Sequence, residues 1–382
     1  MNYIPKSTPN LNRLFFLDNL RTFMIFLVVL LHCGLVYENN AFSTYLWIVF
    51  DPATNALAPV LRVIMDIFVM ATIFFVSGYL TPFSISKTTA AQFLLSKFKR
   101  LILPWLIAVL ILMPVYKLIF LYSRNLLQQN WITYFHWNNG VWSQNWLWFL
   151  PVLFVFDSLL LILSRVKIKL PDFSLNFAVV VVFILGFIYS VCMDLFHFQG
   201  WTKTILLDFQ NERLLIYFLM FLLGSACFRL NSFAAKPKGW KFYIIILCTV
   251  WIPVIVYHFF YMNTILEPGI FVFSRITDSL LLWLSFHFSL LSLLYLMIST
   301  FRRFLDYPGK LWKTLNQNSY SVYIIHVAVM GGLASILLHM NLPSVVKYFL
   351  LAVTTFAVCN LFTILYRKLI QTLTSKIIQT VK

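Results

Sequence analysis

Charge is what this chain has least of. Asp, Glu, Lys and Arg make up 11% of its 382 residues, against about a quarter in a soluble domain. With 61% apolar residues and a mean hydropathy of +0.85, the soluble globular class is excluded and a polytopic membrane protein is indicated. Cysteine is also scarce. The five present (Cys33, Cys192, Cys227, Cys248 and Cys359) lie in or beside apolar segments. Their spacing matches neither a metal site nor a disulfide framework, so they read as buried free thiols. No His-x3-His spacing occurs, and no metal is expected. There is no low-complexity tract, internal repeat or soluble domain, so residues 1–382 read as a single transmembrane domain with short tails. The first apolar run is long enough to span a bilayer and lacks a small-residue cleavage site, so no signal peptide is expected.

Ten segments are near the 20 residues needed to cross a bilayer. They fall at about 15–37, 57–81, 101–122, 146–164, 174–196, 213–230, 241–262, 278–299, 319–340 and 345–367. The last two, separated by Met340–Pro343, form a tight helical hairpin. The expected fold is all-α, a polytopic membrane helix bundle.

The net charge of +17 suggests nucleic acid at first sight. Its distribution argues instead for topology signals facing anionic lipid headgroups, with no nucleic acid. Cations sit in alternate connections: Lys6 and Arg13; Lys87, Lys97, Lys99 and Arg100; Arg165, Lys167 and Lys169; Arg229, Lys236, Lys238 and Lys241; Arg302, Arg303, Lys310 and Lys313; and Arg367, Lys368, Lys376 and Lys382 in the tail. That alternation predicts both termini in the cytoplasm. The opposite connections hold Glu38, Asp51, Arg124, His136, Lys203, Asp208, Glu267 and Arg275. One of them, from Asn130-Trp131 to Asn145-Trp146, alternates Trp and Asn. That pattern suits an interfacial aromatic belt and also suits sugar stacking.

The ionisable residues inside apolar segments carry the functional reading, because such residues are costly in a membrane and by default mark a site. Arg21 and His32 are eleven helical positions apart, about three turns or 16 Å along one face. Asp18 lies one turn before Arg21 on the same stripe. A neutral His32 can act as a general base near neutral pH. The bland alternative is a histidine bonded between helices. For Arg21, pairing with Asp18 and phosphate binding stay open. Lys97, Lys99 and Arg100, followed by Pro104, suit a phosphorylated cofactor or plain cytoplasmic anchoring. Ser77-Gly78 closes the second segment; close helix approach is the favoured role, and a nucleophilic Ser77 would need a neighbouring base. Arg62 and Asp66, one turn apart, are expected to pair. Trp148, Asp157 and His326 should face the bundle interior and, with Ser77, Glu212 and Arg275, are the candidates for binding the acceptor substrate. Glu212-Arg213 and Arg275-Asp278, at outer helix ends, contact an acceptor or each other. His258, His287 and His339 show no partner pattern.

Together these residues resemble the acyltransferase-3 family of integral membrane acyltransferases. The resemblance rests on Leu17-Asp18-Asn19-Leu20-Arg21 with ten residues between Arg21 and His32. It continues through Phe75-Val76-Ser77-Gly78-Tyr79, Lys99-Arg100-Leu101 with Pro104, Trp148-Phe149-Leu150, and Ser319-Tyr320 through His326. It implies transfer of an acyl group, acetyl or succinyl, from cytoplasmic acyl-CoA to a carbohydrate or glycan hydroxyl at or across a bacterial inner membrane. By position, His32 would be the catalytic histidine, Arg21 its motif partner, and Lys99 and Arg100 part of the donor side. Many O-acetylating members carry Gly-Val-Asp shortly before the Ser-Gly. Here Ala71-Thr72-Ile73-Phe74-Phe75 lacks the acid, which looks more like the glucan-modifying branch that succinylates periplasmic glucans. A dicarboxylate donor would want an extra cation, with Arg62 as the candidate. The competing class is a proton-coupled transporter or flippase of a sugar, lipid or organic anion; the absence of repeated halves counts against it. Expected partners are acyl-CoA, the glycan acceptor and membrane lipids, with a homo-oligomer left open.

Overall fold

The computed structural model describes residues 14–128, 130, 144–166, 173–204, 206–235, 237, 239–266 and 269–380, the side chains of 265–266 and 374–380 excepted. Lys6, Arg13, Trp131, His136, Lys167, Lys169, Lys236, Lys238, Glu267, Lys376 and Lys382 therefore lie outside the described residues or side chains.

Ten helical stretches among the described residues are long and apolar enough to cross a membrane. In chain order, α1 is Phe15–Gly34, followed by a 3-10 turn at Leu35–Tyr37. The short α2 (Ala41–Tyr45) is capped by Asn40, whose side chain accepts from the Ser43 N–H. Helix α3 is Leu57–Lys87. Helix α4 (Ala90–Lys97) starts on a capping box in which Thr89 and Gln92 satisfy each other's backbone N–H. A π-helical turn at Phe98–Ile102 leads into α5 (Leu103–Ser123). Then come α6 (Phe149–Arg165), α7 (Leu175–Leu195), a two-stranded hairpin of β1 (Trp201–Lys203) and β2 (Asp208–Gln210), and α8 (Asn211–Arg229). The series ends with α9 (Trp240–Thr249), α10 (Trp251–Leu266), α11 (Arg275–Phe304), α12 (Lys310–Leu338) and α13 (Ser344–Thr380).

The third crossing begins at Ala90, well before the residue 101 expected from hydropathy. The reason is local. Pro104 has no N–H, and in a regular helix its ring would press on the carbonyl four residues back, at Arg100. The chain widens by one residue per turn here, and the Leu103 N–H reaches back to the Phe98 carbonyl. The basic Lys99-Arg100 pair therefore sits on a π turn inside a continuous helical crossing.

The chain divides into two compact units. One comprises residues 1–20, 63–107 and 143–307, the other 21–62, 108–142 and 308–382. In the first, Asn19 is fully buried and its amide donates to the Leu305 carbonyl at 2.7 Å, while the Phe16 N–H donates to Asp306 at 3.0 Å. The second residue of the Asp18-Asn19 motif is thus a structural tie. Gly78 of α3 lies against the Phe221 carbonyl of α8, and Gly224 of α8 lies against the Phe75 carbonyl of α3. Each glycine admits the other helix's backbone, the close approach expected at Ser77-Gly78. Helices α7, α9 and α10 keep much of their apolar surface on the outside, including Ile184, Ile188, Ile245 and Ile255. They also carry Cys192 and Cys248, both exposed, against the expectation that all five thiols are buried. On a helix that is apolar all round, lipid takes the place of a protein neighbour.

In the second unit α12 and α13 form the expected antiparallel hairpin. The pair is bridged by Asn318 donating to Asn360 at 3.1 Å and by Arg367 donating to the Gln317 carbonyl. Lys347 and Asp51, each 3% exposed, form an ion pair at 2.9 Å.

Two outcomes follow. Gly224→Ala drives a methyl into the Phe75 carbonyl and lowers thermal stability in detergent by at least about 1–3 kcal/mol, whereas Gly332→Ala, with open space around it, does not. Lys347→Met strands the Asp51 carboxylate and costs about 3–5 kcal/mol, and Lys347→Met with Asp51→Leu recovers most of the loss.

Candidate functional site

The histidines come together within the second unit. His32 leaves the last turn of α1 and His326 points from the middle of α12. His32 Nδ1 and His326 Nε2 are 2.8 Å apart, with the rings stacked at 22° and 5.0 Å between centroids. His326 is fully buried, and its Nδ1 lies 2.7 Å from the Tyr323 carbonyl of its own helix.

This chain of contacts assigns the protons. A carbonyl oxygen only accepts, so His326 Nδ1 carries hydrogen and donates to Tyr323. In neutral His326 that leaves Nε2 as a lone pair. His32 must then donate from Nδ1, and its own Nε2 is left without hydrogen. Among the described residues His32 Nε2 has no hydrogen-bond partner. The arrangement delivers an imidazole in one tautomer with an unprotonated nitrogen free to take a proton or attack a carbonyl. His326, a substrate-binding candidate from the sequence, is hydrogen-bonded to His32.

Two further groups frame His32, and neither stood out in the sequence. Trp47, 2% exposed, lies over the imidazole at 5.3 Å and 26°. Tyr116 of α5 meets Trp47 edge-on at 6.3 Å. Trp47 belongs to an outer connection between two apolar segments, where a lone tryptophan looks like any interfacial aromatic. Nearby, Glu38 is tied to Arg62 by hydrogen bonds of 2.8 Å to each oxygen. Burial pushes the Glu38 carboxyl above its ordinary value, while the Arg62 charge pulls the other way.

That pairing overturns the expected Arg62–Asp66 bridge. Arg62 takes Glu38, and Asp66 takes Arg213 at 2.9 Å within the first unit. One helical turn of spacing permits a pair, but each group found a more enclosed partner on another part of the chain. Arg213 is 2% exposed, donates to Tyr257 at 3.1 Å and stacks on Phe286. Neither Arg62 nor Arg213 is a spare cation for a dicarboxylate donor.

The first unit holds most of the other sequence candidates. Lys97 and Asp157, assigned separately to donor and acceptor, share one ion pair at 2.9 Å. Asp157 is fully buried and also accepts from Thr81 at 2.7 Å. The Thr81 hydroxyl is in turn 2.9 Å from the Ser77 carbonyl. Lys99 and Arg100 are exposed on the π turn. Trp148 packs on Tyr217 at 5.8 Å and on Trp201 at 5.6 Å, in a cluster that includes Phe74. Glu212 accepts from the Gly200 N–H at 2.9 Å and from Gln210, so it holds the β1–β2 hairpin to α8. Arg275 donates to the Leu195 carbonyl and lies against His197, while Asp278 accepts from the Val272 and Phe273 N–H groups. The Glu212-Arg213 and Arg275-Asp278 pairs therefore serve other partners. Asp18 and Arg21 are half-buried on α1, Asp18 in the first unit and Arg21 in the second.

Searches of curated proteins and of solved structures returned no match to the chain. A family model described as an acyltransferase domain does match, over residues 14–364. That span runs from the start of α1 into α13 and includes every candidate residue named above. The chain belongs to the acyltransferase-3 family and is an integral, multi-pass membrane acyltransferase.

Proposed function

We propose that this acyltransferase moves an acetyl or succinyl group from acyl-CoA to a hydroxyl of a carbohydrate or glycan in a bacterial inner membrane, with His32 as the base. The single observation that carries the assignment of His32 is the Tyr323–His326–His32 relay, which leaves His32 Nε2 unprotonated. In the proposed reaction His32 Nε2 removes the hydroxyl proton as the acceptor oxygen attacks the thioester carbonyl. A carbon–oxygen bond forms, the tetrahedral intermediate collapses, and the carbon–sulfur bond breaks. The proton held on His32 passes to the departing thiolate, so neutral imidazole and free CoA are regenerated. His326 fixes the tautomer and shares the transient positive charge, much as an acid orients the histidine of a hydrolase triad.

Lys99 and Arg100 are proposed to bind the donor's phosphates. They are exposed cations on a widened turn, and such turns often accompany functional sites. Lys97 is given a different part, since its charge already serves Asp157. The succinyl option rests on the Ala71–Phe75 stretch without an acid; Arg62 is not put forward as its receptor, because Glu38 holds it.

Release of free CoA thiol by purified protein in liposomes, with acetyl-CoA and succinyl-CoA in turn, tests the reading. His32→Ala lowers turnover about 10²- to 10⁴-fold, the usual contribution of a general base, with unchanged melting. His326→Ala, which frees the His32 tautomer, lowers kcat by a similar factor with little change in KM. Lys99→Ala with Arg100→Ala has the opposite signature, a raised KM for acyl-CoA at near-native kcat. Full turnover in a folded His32→Ala protein would remove the base from the mechanism.

A further inference from the structure

The proposed reaction needs a hydrogen-bond donor for the oxyanion of the tetrahedral intermediate. Trp47 has one to spare. Among the described residues its buried indole Nε1–H has no hydrogen-bond partner, although the residue is only 2% exposed. Buried indole N–H groups usually find a partner, and an orphan calls for an explanation. This one belongs to the ring that stacks on His32, 5.3 Å away between centroids. The orphaned donor thus belongs to the aromatic ring that lies against the imidazole of His32.

The backbone around Trp47 is held firmly for a connecting segment. Arg124, just past the end of α5, donates from Nη2 to the carbonyls of Thr44 at 2.9 Å and Trp47 at 3.0 Å. Its Nη1 reaches the Ile48 carbonyl at 3.5 Å, and its guanidinium stacks on Phe120 at 4.0 Å. Tyr116 donates to the Leu46 carbonyl at 2.6 Å, and Ser123 reaches Ile48 at 3.3 Å. Asp51, four residues after Trp47, is riveted to Lys347. One connecting segment is thus pinned at successive carbonyls, and the residue at the centre presents its ring to the base and keeps its N–H unspent. Preorganisation of this kind makes a donor effective as charge develops, since nothing has to reorient during the reaction.

We propose that Trp47 is the oxyanion donor of this acyltransferase, its indole N–H bonding the thioester carbonyl oxygen, and that Arg124 is the residue that positions it. The proposal rests on His32 being the base. It adds no covalent step to the transfer described above: the carbonyl oxygen gains charge as the acceptor oxygen adds, the Trp47 N–H takes that charge, and the bond relaxes when the thiolate leaves.

Diethyl pyrocarbonate is the probe, because it needs neither the native donor nor the acceptor. An unprotonated imidazole nitrogen attacks its carbonyl, forms the same kind of oxyanion, and expels ethyl carbonate, which decomposes to ethanol and carbon dioxide. The rate of carbethoxylation of His32 is read by mass spectrometry in the native protein, in Trp47→Phe, which keeps an aromatic ring over His32 but loses the N–H, and in Arg124→Ala and Arg124→Lys. Trp47→Phe is expected to slow labelling of His32 about 10²-fold, with His339 as the internal reference. Arg124→Ala should slow it comparably, Arg124→Lys should restore part of the rate, and Arg124→Ala combined with Trp47→Phe should be no slower than Trp47→Phe alone. In the CoA-release assay the same loss should appear in kcat with KM for acyl-CoA unchanged. Native-rate labelling of His32 in a folded Trp47→Phe protein would overturn the role of Trp47 and leave the base intact. If His32 resists the reagent in the native protein while His339 reacts, the reading of His32 fails first, and the proposal with it.

Discussion

A charge placed among apolar helices has to find its counter-charge inside the protein, because lipid offers none. That constraint orders this structure. Asp51 takes Lys347, Glu38 takes Arg62, Asp157 takes Lys97, and Asp66 takes Arg213. Breaking such a pair costs far more than the pair contributes over well-packed apolar residues. Each therefore works less as glue than as a specification of which parts of the chain must meet. The outer connection after α1 shows this directly, since Glu38 and Asp51, at its two ends, are both held by cations from elsewhere in the same unit.

The same economy separates structural from chemical groups. Most polar candidates turn out to be spoken for: Asn19 by a backbone carbonyl, Glu212 by a hairpin, Asp278 by its own helix start. Against that background, among the described residues, His32 Nε2 and the Trp47 N–H are two groups with unsatisfied capacity that lie side by side. One is a base and the other a donor, and their rings are stacked. An acyl transfer requires both, a group to accept the acceptor's proton and a group to hold the oxyanion.

The fold was largely legible. Apolar run length located all ten crossings, because a bilayer imposes a minimum of about 20 residues and a composition on each one. Boundaries were missed where something besides hydropathy decided. Pro104 forced a π turn into the third crossing, and α3, α11 and α13 run past their apolar runs because helix continues beyond lipid wherever caps and packing support it. The cysteines were misjudged for a related reason. Apolar means buried in water, but on α7 and α9 an apolar face is turned outward.

The sequence by itself determined the membrane class, the number of crossings, the family, and His32 as the residue to watch, since these follow from local composition and fixed spacing along one helix. Only the tertiary structure decided what His32 touches. His326 is 294 residues away in the chain, and its proton is fixed by a carbonyl that every helix possesses and no sequence advertises. Trp47 sits in a connection whose path is set by Arg124 and by two ion pairs. Partner choice among charges is a contest between many contacts, decided by burial. The spacing that made Arg62 and Asp66 look like a pair could not show that Glu38 and Arg213 would claim them.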